Sequence, residues 1–153
     1  MKRSTVQMVS GKEVVPSSFD YLIDSDTFVG LFLPNDALHT TVVSLFERIS
    51  QRFQRVATTN WVVAETATVL SSRDSQETAI KFLTMIDEGA IPVLPITTEL
   101  EQNTHGIFRE QTTKKTSMVD CSNVAVAKHY GISNLLAFDK FYERFELVIQ
   151  KNL

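Results

Sequence analysis

Tyr21-Leu22-Ile23-Asp24-Ser25-Asp26-Thr27 is the stretch on which the fold turns. Three apolar residues are too few for a helix face and suit a short, fully buried strand, with Asp24 marking its exit. The same grammar returns late in the chain, where Leu135-Leu136-Ala137-Phe138 is closed by Asp139. Strands that read as unbroken apolar runs belong to parallel sheets covered on both faces.

The chain around these two runs alternates helix and strand signals. Residues 27–33 predict a short helix closed by Pro34. Residues 36–53 predict an amphipathic helix with Leu38, Val42, Leu45, Phe46, Ile49 and Phe53 on one face. A strand follows at 55–58, then a helix at 61–70 capped by Thr59 or Asn60, and a helix at 75–88 stopped by Gly89. The apolar run 91–96 predicts a strand that Pro92 and Pro95 push to a sheet edge. Thr98-Glu99-Leu100-Glu101 has the capping-box pattern and opens a helix to 111. A polar loop at 112–116, a helix from 117 to Gly131 and a last strand at 145–149 complete the pattern. Alternation of this kind implies an α/β sandwich with a mainly parallel central sheet. Residues 1–19 show no sustained period and read as an N-terminal extension, either with one strand near Val14-Val15 or partly disordered. Residues 20–153 read as a single domain.

Composition narrows the function. Of 153 residues, 43% are hydrophobic and 22% charged, an ordinary globular balance that argues against wholesale disorder. Cys121 is the single cysteine, which excludes a disulfide framework within the chain. His39, His105 and His129 lack ligand spacing, so a histidine-built zinc centre is not expected. No apolar run approaches the roughly 18–20 residues of a membrane span, and no signal peptide follows Met1, so a cytoplasmic protein is expected.

Chemistry is expected at the carboxyl edge of the sheet, where open α/β folds bind ligands. Asp24 and Asp139 sit at that edge, although either alone reads equally as a turn residue. Asp120 lies three residues after Ser117, which suits a capping box or a carboxylate projected toward the same edge. Glu65 stands in Trp61-Val62-Val63-Ala64-Glu65-Thr66-Ala67-Thr68-Val69-Leu70, a stretch too apolar for a solvated helix face. Four hard oxygen donors repel one another and call for a hard cation, Mg²⁺ or Mn²⁺. An ion so held serves phosphodiester hydrolysis. The net charge of −3 then ceases to oppose a nucleic-acid substrate: setting four of 18 acids aside leaves 14 against 15 basic residues. Asp26 reads as an exposed acid at a helix start, and Ser117 as an N-cap. Lys114, Lys115, Arg73 and Arg109 read as phosphate contacts or as solvated charges. Cys121, Trp61 and the ten phenylalanines are assigned to the core.

Four motifs in this order resemble the PIN domain, specifically the VapC-type toxin ribonucleases of toxin–antitoxin systems. They are Leu22-Ile23-Asp24-Ser25-Asp26-Thr27-Phe28-Val29, Thr59-Asn60-Trp61-Val62-Val63-Ala64-Glu65-Thr66, Ser117-Met118-Val119-Asp120-Cys121 and Leu136-Ala137-Phe138-Asp139-Lys140-Phe141. Pro34-Asn35-Asp36-Ala37-Leu38-His39 matches the loop and His-bearing helix that often follow the first motif. The resemblance covers roughly residues 20–150. It implies a three-layer α/β/α sandwich and Asp24, Glu65, Asp120 and Asp139 as catalytic, metal-binding acids. It also implies RNA cleavage by an activated water, a small antitoxin partner and a homodimer, while Lys114, Lys115 and Ser117 are, on their own reading, the candidates to contact the substrate. No further aspartate follows the fourth motif, where the chain reads Lys140-Phe141-Tyr142-Glu143-Arg144. Two alternatives stand beside this reading. One is a non-catalytic PIN-fold RNA-binding or interaction module. The other is a haloacid-dehalogenase-type phosphatase using Asp24-Ser25-Asp26, which Asp139-Lys140 fails to support with paired late acids.

Overall fold

The computed structural model of the chain describes residues 18–149, so the expected strand near Val14-Val15 lies outside the described residues. Its strands are β1 (Tyr21–Ile23), β2 (Val56–Thr59), β3 (Val93–Leu94), β4 (Asn134–Leu136) and β5 (Val148–Ile149). They form one sheet in the order β3-β2-β1-β4-β5, with every neighbouring pair parallel. The helices are α1 (Ser25–Phe32), α2 (His39–Gln51), α3 (Asn60–Arg73), α4 (Gln76–Asp87), α5 (Thr98–Arg109) and α6 (Met118–Tyr130), and a 3-10 helix spans Lys140–Phe145.

Strands this short carry few ladder hydrogen bonds, so side-chain burial on both faces must hold the sheet. Side chains alternate across a strand. Tyr21, Ile23 and Leu136 enter one core with Phe28, Val62, Leu70 and Phe82, from α1, α3 and α4. Leu22, Ala57 and Leu135 enter the other with Leu100, Cys121, Val124 and Tyr142. The result is the expected three-layer α/β/α sandwich. Phe82 is fully buried and packs its ring 5.2 Å from Phe28 and 5.5 Å from Phe32. Burial of such a side chain stabilises by roughly 1.5–3 kcal/mol.

The order of strands creates the site. From β1 the chain moves outward through β2 and β3. It then crosses back by α5 and α6 to add β4 and β5 on the other side. Strand order therefore reverses between β1 and β4, where side chains past the carboxyl ends face an open crevice.

Local chemistry moves several expected boundaries. The first helix begins at Ser25 because Asp24, in extended backbone, accepts from the Ser25 N–H at 2.7 Å. The second begins only at His39, since Asp36 closes a turn by taking the Leu38 N–H on its carboxylate and the His39 N–H on its carbonyl. That helix also ends early. Gln54 N–H donates to the Ile49 carbonyl and Phe53 N–H to Ser50, a Schellman closure with Phe53 at φ 53. The left-handed residue swings its ring outward, so Phe53 is 91% exposed rather than on the buried face. Phe108 is exposed too, and the assignment of all ten phenylalanines to the core does not hold.

Thr97, not Thr98, caps α5. The last strand shrinks to two residues because the 3-10 helix takes residues 140–145. The prolines act as expected, leaving β3 as a two-residue edge strand. Among the described residues, no helix is long and apolar enough to cross a membrane.

Candidate active site

Asp24 leaves β1 at the point of strand reversal and is only 3% exposed. Its backbone N–H donates to the Leu136 carbonyl at 3.0 Å, tying it to β4. Its Oδ1 accepts from Ser25 N–H at 2.7 Å and from Asn123 Nδ2 at 3.0 Å. Its Oδ2 accepts from the Tyr142 hydroxyl at 2.6 Å.

Asp120 stands in the first turn of α6. Ser117 caps that helix as expected, accepting from Val119 N–H at 3.1 Å and Asp120 N–H at 3.4 Å. The Asp120 carboxylate is thereby spared capping duty, and its Oδ1 lies 3.1 Å from the same Tyr142 oxygen. Asp139 follows β4, is exposed, and accepts from Phe141 N–H at 2.9 Å at the head of the 3-10 helix. Glu65 sits half-buried within α3, near enough for its charge to act on Asp120.

Asp26 corrects an expectation. It is not an exposed acid at a helix start: it is largely withdrawn from water and accepts from Phe138 N–H at 2.8 Å. Thr27 next to it donates to the Leu136 carbonyl at 2.7 Å, so the start of α1 is fastened to the exit of β4. The strand-end geometry thus draws in one more acid than the four expected.

Electrostatics link these groups. Burial raises the Asp24 carboxyl well above its ordinary range, and the charges of Asp26 and Asp120 raise it further. Burial also raises Asp26, with a contribution from Asp139. Asp120 is pushed up to about 6 by burial and by Asp139, Glu65 and Asp26, against the lowering effect of the nearby Tyr142 hydroxyl. None of the ion pairs among the described residues involves these acids. The five carboxylates therefore feel one another with no basic side chain paired to them there. Their oxygens are a hard donor set that suits Mg²⁺ or Mn²⁺. Among the described residues, no three His, Cys, Asp or Glu side chains already stand in coordinating geometry. Coordination would have to draw the carboxylates closer than they stand.

The sequence model of the PIN domain family matches residues 21–146. The chain belongs to the PIN domain family. Solved structures agree on the fold. VapC20 of Mycobacterium tuberculosis, a sarcin-ricin loop cleaving toxin, is 24% identical with a TM-score of 0.77. The match covers 86% of this chain and 99% of VapC20. VapBC2 of Rickettsia felis, bound to a DNA fragment from its promoter, is 12% identical with a TM-score of 0.63, over 85% and 96% of the two chains. No curated protein matches the chain.

A cleft of about 610 Å³ opens from the acids of this PIN domain. Asp120, Asp139 and Glu143 line it together with Lys114, Lys115, Lys140 and Arg144. Lys114 and Lys115 are exposed there, while Arg144 is steadied by donating to Thr113 Oγ1 at 3.2 Å. Ser117 holds the helix that presents Asp120 and is not among the lining residues. The other two basic candidates lie elsewhere. Arg73 pairs with Asp36 at 2.8 Å, and Arg109 ends α5 outside the cleft. His39 Nδ1 lies 2.8 Å from the Gly30 carbonyl and so fastens α2 to α1.

Asn123 and Tyr142 join the site without having stood out in the sequence. Asn123 had a signal, because with Ser122 it interrupts the small, otherwise apolar buried stretch Cys121–Ala127 of α6. Tyr142 had none, since a tyrosine among phenylalanines reads as core.

Proposed function

We propose that this PIN domain is a divalent-metal-dependent endoribonuclease that hydrolyses RNA phosphodiester bonds with water. The observation that carries the reading is the convergence of Asp24, Asp26, Glu65, Asp120 and Asp139 beside a cleft walled by cations. Asp24, Glu65, Asp120 and Asp139 would hold Mg²⁺ or Mn²⁺. The ion, when bound, supplies Lewis acidity and charge neutralisation at the reacting phosphate. The chain supplies the rest. Lys114, Lys115, Lys140 and Arg144 grip the phosphates on either side of the scissile bond, in a sequence-independent manner. Asp26 acts through the backbone, fixing the Phe138 N–H and hence the loop that carries Asp139.

The proposal extends to a toxin–antitoxin setting, in which a small antitoxin blocks the acidic crevice and two copies of the toxin pair. The likeness in fold to VapC20 and to the VapBC2 pair supports it. A phosphatase using Asp24 as nucleophile is disfavoured, because that carboxylate is buried and accepts three hydrogen bonds.

The test is incubation of the purified chain with a structured ribosomal RNA stem-loop and an unstructured RNA, with Mn²⁺, Mg²⁺ or EDTA. Cleavage that needs the metal and disappears in Asp24→Asn and Asp120→Asn is expected. Cleavage that survives EDTA, or persists in both variants, overturns the reading.

A further inference from the structure

Tyr142 comes from the 3-10 helix near the end of the chain, is fully buried, and sets its hydroxyl between two acids. The phenol has one proton and two lone pairs. The shorter contact, 2.6 Å to Asp24 Oδ2, takes the proton. One lone pair accepts from Asn123 Nδ2 at 3.0 Å. The same Asn123 amide nitrogen also donates to Asp24 Oδ1 at 3.0 Å, so one amide grips both ends of the Tyr142–Asp24 bond. Turning that amide over would place its oxygen against the carboxylate, which fixes its orientation.

The lone pairs of Asp24 can be counted. A carboxylate offers about four acceptor sites. Ser25 N–H and Asn123 Nδ2 occupy those of Oδ1, and Tyr142 occupies one of Oδ2. A single site remains, on Oδ2. Its direction is set by the phenol bonded to the same oxygen.

We infer that Tyr142, anchored by Asn123, is a positioning residue that leaves Asp24 a single ligating site on Oδ2 and holds it beside Asp120. The inference rests on the metal-centre reading above and adds to it a residue that neither coordinates nor touches substrate. Partners that orient metal ligands from behind carry about 10–100-fold in metal affinity or activity.

Tyr142→Phe keeps the buried ring and removes the hydroxyl. Mn²⁺ binding is measured on the full chain by titration calorimetry and by the loss of the free-ion electron paramagnetic resonance signal, without RNA. Thermal melting in EDTA is run alongside. The expected result is Mn²⁺ binding weaker by about tenfold, with KM for RNA unchanged and the rate recovered at excess Mn²⁺. That recovery is one a merely structural role would not give. Because the phenylalanine strands the Asn123 amide, Tyr142→Phe with Asn123→Leu is measured as well, and the same or a larger loss of affinity is expected. Mn²⁺ affinity unchanged or tightened in a folded variant overturns the role of Tyr142 and leaves the metal centre standing. A wild-type chain that binds no Mn²⁺ overturns the metal centre and this inference with it.

Discussion

Asp24 and Asp36 flank the same helix, α1, and show two opposite uses of one side chain. Asp36 accepts from Leu38 N–H at 2.9 Å and pairs with Arg73 at 2.8 Å. The Leu38 N–H first, and then the guanidinium, hold its carboxyl below the ordinary range. Asp24 accepts three hydrogen bonds, yet burial and two neighbouring acids drive it the other way. Hydrogen bonds alone therefore do not decide the state of a carboxylate: burial and the sign of the neighbouring charge do. The fold pairs a cation directly with the acid that serves structure, and among the described residues it forms no such ion pair with the acids that gather at the crevice.

The strongest way to break this contrast is to neutralise Asp24. Asp24→Asn removes a ligand and a repelling charge together. RNA cleavage with Mn²⁺ is expected to fall by more than about 100-fold, since a ligand matters at least as much as the partners that orient one. Thermal stability in EDTA at pH 7.5 is expected to stay level or rise, as charge leaves a repelling cluster. An equal loss of activity with a large drop in melting temperature would make Asp24 a structural acid like Asp36.

Acidity separates the two classes next. A carboxyl raised in the fold stabilises it fully below its unfolded value and loses that contribution as pH rises through the folded one. For Asp120 the window runs from 3.8 to about 6. Asp36, lowered in the fold, works oppositely: its contribution stands above 3.8 and fades as pH falls through its depressed value. In EDTA the melting temperature is therefore expected to peak near pH 4 and to fall by roughly 5–10 °C as pH rises through about 6 toward 7.5. Mn²⁺ is expected to raise it more at pH 7.5 than at pH 5. A flat profile from 4 to 7.5 would mean that the acids do not repel as their placement implies.

The cations of the cleft supply a smaller effect. Lys114→Ala and Lys115→Ala each remove one wall charge. KM for RNA is expected to rise roughly threefold to tenfold per lysine, with kcat and Mn²⁺ affinity unchanged. The slope of log affinity against log salt should shrink by about 1 for each phosphate that the variant no longer neutralises.

Most of this architecture was legible in the sequence because it rests on periodicity and punctuation. The apolar runs ending in Asp24 and Asp139 marked two central strands, and Pro92 and Pro95 marked the edge. What escaped depends on geometry that one residue does not encode. Phe53 fitted the apolar face of α2 by spacing, but a left-handed closure two residues past the helix turned it out. Asp26 looked solvated because nothing in the sequence shows the Phe138 N–H arriving from the far end of the chain. Tyr142 was invisible as a polar residue for the same reason, since both carboxylates it meets come from distant segments. Asn123 alone carried a readable warning, as an amide within a buried helical run.

The smallest expected effect lies at the structural acid. Arg73→Ala leaves Asp36 with its backbone partner, the Leu38 N–H, and the carboxylate still reaches water. Arg73 is itself half-exposed, so solvent screens much of the pair. The cost to stability is expected to be about 0.5 kcal/mol, read as a denaturant midpoint shift with an unchanged slope. Mn²⁺ affinity should stay where it is, because neither Asp36 nor Arg73 lines the cleft onto which Asp120 and Asp139 open. If Mn²⁺ binding weakened in Arg73→Ala, Asp36 and Asp24 would be coupled through α1, and a cation assigned to structure would be serving the crevice as well.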